Sequence, residues 1–345
     1  MAFQQRIPLI KQLEEARHSR AICLLTSLRP GIQAQMADDQ VRVVFDHLQQ
    51  IGVKPIPKLD IFLCSNGGSG TVPWRLVALF REFATSFNVV IPYRAYSAAS
   101  LLALGADEIV MHPFAELGPI DPTVSNDFNP VEQPTGRRLG ISVEDVRAYV
   151  NFVKKTVGIT HEDELVKALE ILAEKVHPLS LGNVERFVMQ SRMIAKKILK
   201  THMPEETDDH KINEIIENMA SKLYFHGHPI NRREARVDLR LKVAEGIPPQ
   251  FEDLMWSLYC DFENEFENRT EFNPAVALPM PMAAGTQAPT HEAQLVYAII
   301  ESTGLSSAYR SRRRYTLLPG AQPGQTGIRE DILEQGWNHS PAPAP

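Results

Sequence analysis

The sequence has no long apolar run, no cysteine framework and no excess of positive charge, and each absence removes a class of protein. Its longest apolar stretch, Ser97 to Leu104, lies between Arg94 and Asp107. It falls far short of the ~20 apolar residues that a helix needs to span a bilayer, so no membrane span is expected. The three cysteines, Cys23, Cys64 and Cys260, are odd in number and far apart, and neither a disulfide framework nor a zinc ribbon follows from them. Cys23 and Cys64 sit within apolar runs and read as buried thiols, which suits a reducing compartment. The formal net charge of -6 gives no reason to expect nucleic acid or an anionic membrane as partner. The short basic run Arg310-Ser311-Arg312-Arg313-Arg314 reads as a solvated strand or loop face. Residues 1–6 carry no basic segment leading into a signal-type apolar core, and a cytoplasmic location is expected.

What is present is an ordinary globular composition. The chain has 345 residues, 43% apolar and 23% charged, enough for a large core domain with an accessory region. Residues 21–26 form a near-continuous apolar run, as in a strand buried on both faces. Val41, Val44, Phe45, Leu48 and Ile51 have helical spacing, and Pro55 and Pro57 end that segment. Residues 59–64 read as a second strand, 72–83 as a helix, 88–91 as a third strand, 98–104 as a short helix and 108–111 as a fourth strand. Strands alternating with helices predict βαβ units around a parallel sheet.

Beyond Pro134 the pattern turns helical, over 143–157, 161–173, 184–199, 212–223 and 251–266. A further helix is expected from Asn231, with Glu234 in capping-box position. The predicted organisation is an N-terminal arm (1–20), a core (21–134), a helical extension (135–272) and a linker rich in Pro, Ala, Met and Gly (273–290). A C-terminal β-hairpin region (291–335), with its turn within 302–307, and a disordered tail (336–345) complete it.

Two segments carry chemistry. Cys64-Ser65-Asn66-Gly67-Gly68-Ser69-Gly70 directly follows a buried strand, and its glycines permit a sharp turn with bare N–H groups. A phosphate cradle and an oxyanion hole both fit such a turn. No Gly-Lys-Ser/Thr follows, which excludes a P-loop, and the glycine spacing of a dinucleotide fingerprint is absent. The second segment is Tyr96-Ser97-Ala98-Ala99-Ser100-Leu101. A serine at the start of a small-residue helix lies where unpaired N–H groups favour a developing negative charge; Ser97 or Ser100 serves equally as a helix cap.

The order of these two motifs, followed by Ala106-Asp107-Glu108-Ile109-Val110-Met111, resembles the Clp-protease and signal-peptide-peptidase superfamily. The segment Ala115-Glu116-Leu117-Gly118-Pro119-Ile120-Asp121-Pro122 narrows the resemblance to the serine dehydrogenase proteinase family, a Clp-like branch, over roughly residues 21–241. The resemblance implies an α/β fold of the Clp/crotonase type, a repeated ββα superhelix with a helical elaboration. It implies Ser100 as nucleophile, Asp121 as the triad carboxylate, and His226, from Tyr224-Phe225-His226-Gly227-His228-Pro229-Ile230, as the base. His228 is the alternative base. The oxyanion hole falls on Gly67, Gly68 and Leu101.

The implied activity is hydrolysis of peptide bonds through an acyl-enzyme, with a peptide or protein as substrate. No cofactor and no metal are expected: the His226-x-His228 pair has no third ligand at convincing spacing. His112 reads as a strand-end residue, and His202 and His210 as solvated. A Ser–Lys dyad using Lys154, Lys155 or Lys222 is the competing reading, as is an inactive self-assembling scaffold. A homo-oligomer is expected, with a separate ATP-driven unfoldase left open.

Overall fold

The computed structural model describes residues 2–120, 123–124, 127–132, 138–203, 209–220, 228–278, 288–319 and 326–342. The chain opens with helix α1 (Ala2–Arg17) and strand β1 (Arg20–Thr26), then α2 (Asp39–Ile51), β2 (Leu59–Cys64), α3 (Val72–Phe83), β3 (Phe87–Ile91), β4 (Arg94–Ala95), α4 (Ala98–Ala103), β5 (Glu108–Met111) and β6 (Glu116–Leu117). The short strands β7 (Thr123–Val124) and β8 (Ile141–Ser142) pair with each other. Helices α5 (Val143–Asn151), α6 (Glu162–Lys175), α7 (Pro178–Leu199) and α8 (Asp209–Ala220) follow, and a π-helical stretch, Phe152–Thr156, extends α5. Strand β9 (Ile230–Asn231) leads to α9 (Arg232–Val237), α10 (Pro249–Phe266), α11 (Pro274–Ala277) and three long strands, β10 (Thr290–Ser302), β11 (Leu305–Pro319) and β12 (Thr326–Pro341).

The main sheet has seven strands in the order β12-β11-β10-β1-β2-β3-β5. The four from β1 to β5 are parallel, and β10, β11 and β12 add to them antiparallel. The fold is therefore mixed α/β. Period-two alternation sends the parallel strands' side chains to both faces. Ile22, Leu24, Ile61, Leu63, Val89 and Ile91 pack in one core with α2, α3, α4, α7 and α8. Ala21, Cys23, Leu25, Phe62, Cys64 and Val90 pack in the other with α1 and α10. Both faces are covered, which is why these strands read as unbroken apolar runs. Burial pushes the Cys64 thiol up to about 12 and raises Cys23 well above the ordinary thiol range, so neither is a nucleophile.

Two features depart from the sequence expectation, and the basic run, expected on a strand or loop face, gains specific partners. The N-terminal arm is a helix, anchored by Arg6. That buried guanidinium donates to Glu301 on β10 at 2.7 and 2.6 Å, and to Asp261 and Glu265 on α10 at 2.7 and 2.6 Å. The C-terminal hairpin is a three-stranded extension of the main sheet whose last strand runs to Pro341, through residues expected to be disordered. The basic run lies on β11, where Arg310, Arg313 and Arg314 pair with Glu265, Glu330 and Glu292. Local charge pairing and strand pairing outweigh the Pro- and Ser-rich composition of the tail.

Helix α2 carries a buried histidine that locks this extension in place. His47 bonds the Ser302 hydroxyl through Nδ1 at 2.9 Å and the Ser307 hydroxyl through Nε2 at 3.0 Å. Burial, reinforced by His339, lowers its pKa from 6.5 to about 3. The folded state keeps the ring neutral where the unfolded chain protonates it. Its contribution is therefore complete above the ordinary histidine range and is lost as pH falls from about 6.5 towards 3, at about 1.4 kcal/mol per pH unit. Urea denaturation at pH 7, 6, 5 and 4 should show His47→Gln losing less stability on acidification than the wild type. Parallel acid limbs for the two proteins would refute this.

Candidate functional site

The site lies at the carboxyl ends of β2 and β3, where two chain turns meet. Ser65, just past β2, donates its N–H to the Arg94 carbonyl at 2.8 Å and accepts the Tyr96 N–H at 2.9 Å. These bonds hold the glycine turn beside the chain that enters α4. On the other side the Met36 N–H donates to the Gly67 carbonyl at 2.7 Å, and the Ser69 N–H to the Met36 carbonyl at 2.9 Å. The turn is thus pinned between two backbones. A Cβ at Gly68 would lie 2.3 Å from the Met36 oxygen, and one at Gly67 would lie 2.9 Å from the Ser97 Cβ. Both glycines also have positive φ, 98° and 154°. No side chain fits at either position.

Ser97 occupies the corner between β4 and α4 with φ 51° and ψ -114°. These values approach the first central position of a type II′ turn, about +60° and -120°, where glycine dominates. A serine held there stores strain of about 1–3 kcal/mol. Its hydroxyl makes no capping hydrogen bond, and the residue is half-buried. Ser100, the nucleophile expected from the resemblance, is placed differently. Its side chain is buried at 1% exposure; its hydroxyl donates to the Ala95 carbonyl at 2.6 Å and accepts the Gly118 N–H at 3.0 Å. One helical turn into α4, it staples β4 to the segment after β6. Of the two hydroxyls, only that of Ser100 has hydrogen-bond partners among the described residues.

The backbone donors need a similar correction. The Leu101 N–H is spent on the Ser97 carbonyl at 3.0 Å, and the Gly67 N–H on the Ser65 hydroxyl at 3.0 Å. Neither can bind an oxyanion. The N–H groups of Gly68 and Ala98 have no partner among the described residues. A trans peptide aims N–H opposite to C=O, and the Gly67 carbonyl takes the Met36 N–H, so the Gly68 N–H points away from Met36. Sequence reasoning named Ser97 beside Ser100 without ranking it first and did not name Ala98, because two serines one helical turn apart look alike until the strand–helix corner is located.

A second, small sheet carries the rest of the site. Strand β4 pairs parallel with β6 and β6 antiparallel with β9, with Ala95 opposite Leu117 and Leu117 opposite Ile230. The Tyr96 hydroxyl donates to Glu116, and burial together with that carboxylate raises the phenol's pKa. Asp121 and His226 lie outside the described residues, as does Lys222. His228 pairs through Nε2 with Glu234 at 2.8 Å. Glu234 therefore does not close the expected capping box at Asn231, whose own side chain accepts the Arg233 and Glu234 N–H groups.

Lys154 and Lys155 are exposed in the π-helical stretch. His112 stacks on Trp256 at 5.2 Å, and burial lowers its pKa. His202 is partly buried rather than solvated, with Nε2 2.8 Å from the Leu104 carbonyl and a pKa lowered by burial. His210 is exposed on α8. Among the described residues no group of three His, Cys, Asp or Glu side chains is arranged to hold a metal, and no helix is long and apolar enough to cross a membrane.

Residues 2–131 match the family model of ClpP-like SDH-type serine proteinases. Two uncharacterised proteins of Methanocaldococcus jannaschii are similar over most of the chain. One is 24% identical over 261 residues, 73% of this chain and 76% of the relative. The other is 23% identical over 258 residues, 72% of this chain and 77% of the relative.

The two serines should separate in a stability measurement. Ser100→Ala removes the hydroxyl that joins the Ala95 carbonyl to the Gly118 N–H, leaving only their own bond at 3.3 Å, and should cost about 0.5–1.5 kcal/mol. Ser97→Gly relieves the positive-φ strain and should raise the unfolding midpoint. A Ser97→Gly protein less stable than wild type, or a neutral Ser100→Ala, would contradict these roles.

Proposed function

We propose, from the match of residues 2–131 to the model of ClpP-like SDH-type serine proteinases, a peptidase that cleaves peptide bonds through Ser97, with His226 as base and Asp121 as its orienting carboxylate. The observation that carries it is the strained corner at Ser97, beside two backbone N–H groups that have no partner among the described residues. His226 removes the Ser97 hydroxyl proton as the oxygen attacks the peptide carbonyl carbon. The carbonyl oxygen gains negative charge and is met by the Gly68 and Ala98 N–H groups. His226 then passes its proton to the departing amine as the C–N bond breaks, and water, deprotonated by the same imidazole, releases the acyl group. Asp121 fixes the tautomer and orientation of the imidazole.

The pairing of the small sheet supports bringing these residues together. Ser97 follows Ala95 by two positions, Asp121 follows Leu117 by four and His226 precedes Ile230 by four. Because β6 runs parallel to β4 and antiparallel to β9, the C-terminal ends of β4 and β6 and the N-terminal end of β9 lie at the same end of the small sheet. With a chain span of at most about 14 Å over four residues, this topology is compatible with the proposed triad. The repeated ββα superhelix belongs to the same reading. Strand β2 with Ser65 and α3, then β3 with β4 and α4, then β5 with β6, repeat one plan, and the bridge between Ser65 and Ala95 joins the first minor strand to the second. Assembly of several copies also fits it, since α6 and α7 leave Val166, Leu169, Ile171, Met189 and Met193 exposed. An inactive scaffold would have no use for the strain kept at Ser97.

A fluorophosphonate probe should label the wild type on Ser97, and Ser97→Ala should abolish labelling while Ser100→Ala retains it. His226→Ala should lower peptidase activity by roughly 10⁴- to 10⁶-fold, Asp121→Asn by less and His228→Ala least. Label on Ser100, or full activity in His226→Ala, would overturn the assignment.

A further inference from the structure

We infer that Ser65 is a positioning residue that sets the oxyanion-binding face of the glycine turn, an inference that rests on Ser97 as nucleophile and the Gly68 N–H as donor. Ser65 has no exposed surface, and both its backbone and its hydroxyl are used. The backbone ties it to Arg94 and Tyr96, on the chain that delivers Ser97. The hydroxyl accepts the Thr26 hydroxyl of β1 at 2.7 Å and the Gly67 N–H at 3.0 Å. One side chain therefore links three segments: the end of β1, the glycine turn and the approach to the nucleophile.

The Gly67 bond decides which N–H is available. Two successive N–H groups, those of Gly67 and Gly68, lie in the turn beside Ser97. The Ser65 hydroxyl captures the first. The Gly67 carbonyl is held by Met36. With N–H and C=O of Gly67 both fixed, the two peptide planes that meet at its Cα cannot rotate, although a glycine has the widest conformational freedom of any residue. The Gly68 N–H is thereby presented in one direction before any substrate arrives, which is the preorganisation that oxyanion binding needs. Thr26 stands behind Ser65 and holds its hydroxyl in the acceptor orientation. A serine at this position with no other use of its side chain would be dispensable; here it has two buried partners, one of them the turn itself.

The consequence is selective. Loss of the Ser65 hydroxyl should loosen the donor without altering the surface that binds a ligand. The experiment is the rate of fluorophosphonate labelling of the full chain as a function of probe concentration, which separates the maximal rate from the half-saturating concentration. Ser65→Ala should lower the maximal rate by about 10- to 100-fold, below the roughly 10²- to 10³-fold seen when an oxyanion donor is removed outright, with the half-saturating concentration changed less than about twofold. Thr26→Val keeps the shape of Thr26 and leaves the Ser65–Gly67 bond. It should lower the maximal rate several-fold, and it serves if Ser65→Ala does not fold. A maximal rate within twofold of wild type in a folded Ser65→Ala, or in Thr26→Val when the first variant is unfolded, overturns the role of Ser65 alone. A parallel change in half-saturating concentration equal to that in rate overturns it too, since a merely disordered site would do this. Wild-type protein that takes no label at Ser97 overturns both this inference and the nucleophile assignment beneath it.

Discussion

Everything at the candidate site depends on how closely two backbone turns approach each other. Gly67 and Gly68 pass between Met36 on one side and Tyr96–Ser97 on the other with no room for a Cβ. That approach needs a bonded partner on each flank, and the structure supplies two bridges, Met36 with Gly68 and Ser65 with Ala95. A single methyl group added to either glycine would push the flanks apart by more than an oxyanion donor can tolerate, because such a donor must lie about 2.7–3.1 Å from its target. The glycines are therefore a geometric requirement of the site itself.

The flanks are only as fixed as the sheet behind them. The parallel strands β1, β2, β3 and β5 are buried on both faces, and their carboxyl ends are where the two turns begin. On one face the Arg6 guanidinium ties α1, α10 and β10 together. It gathers three carboxylates around one cation and lies over the Phe262 ring at 4.3 Å. A cation so deeply buried is costly unless every N–H finds a partner, and removing it would leave Glu301 charged or protonated in the interior. At the amino end of the strands Asp60 does similar work, bonding Arg17, Ser19 and Asn88. Both clusters lie away from Ser97 in sequence, yet they fix the strands whose ends carry it.

Much of this was legible in the sequence, for physical reasons that also explain where it stopped. Strands buried on both faces have no polar alternation, so the runs over 59–64 and 108–111 announced themselves. The helices at 72–83 and 251–266 carried clear apolar stripes, with α10 starting two residues earlier, at Pro249. Helix α1 gave no such stripe: it contains Pro8 and its inward face is held by Arg6, a charge that reads as surface until three distant carboxylates are seen around it. The extension of the sheet by β10, β11 and β12 was half legible. Hairpin propensity is local, but the pairing of β10 with β1 joins residues nearly three hundred positions apart, and no local pattern encodes that. The tail's Pro and Ser content suggested disorder, whereas its backbone has a neighbouring strand to pair with as far as Pro341.

The two-serine motif shows most clearly what sequence alone leaves open. Ser97 and Ser100 are three residues apart, so in a helix they face nearly the same side, and residue type cannot rank them. Position relative to the corner can. The residue at the corner must adopt a backbone conformation that resists every side chain, and its hydroxyl caps nothing in the helix that follows. The residue one turn later falls inside the packed helix, where a hydroxyl survives only with partners, and Ala95 and Gly118 provide them. Strain at the first serine and satisfaction at the second are complementary signs. An uncapped serine in a strained backbone conformation fits the proposed nucleophile, and a buried, bonded one fits a staple that the fold itself needs.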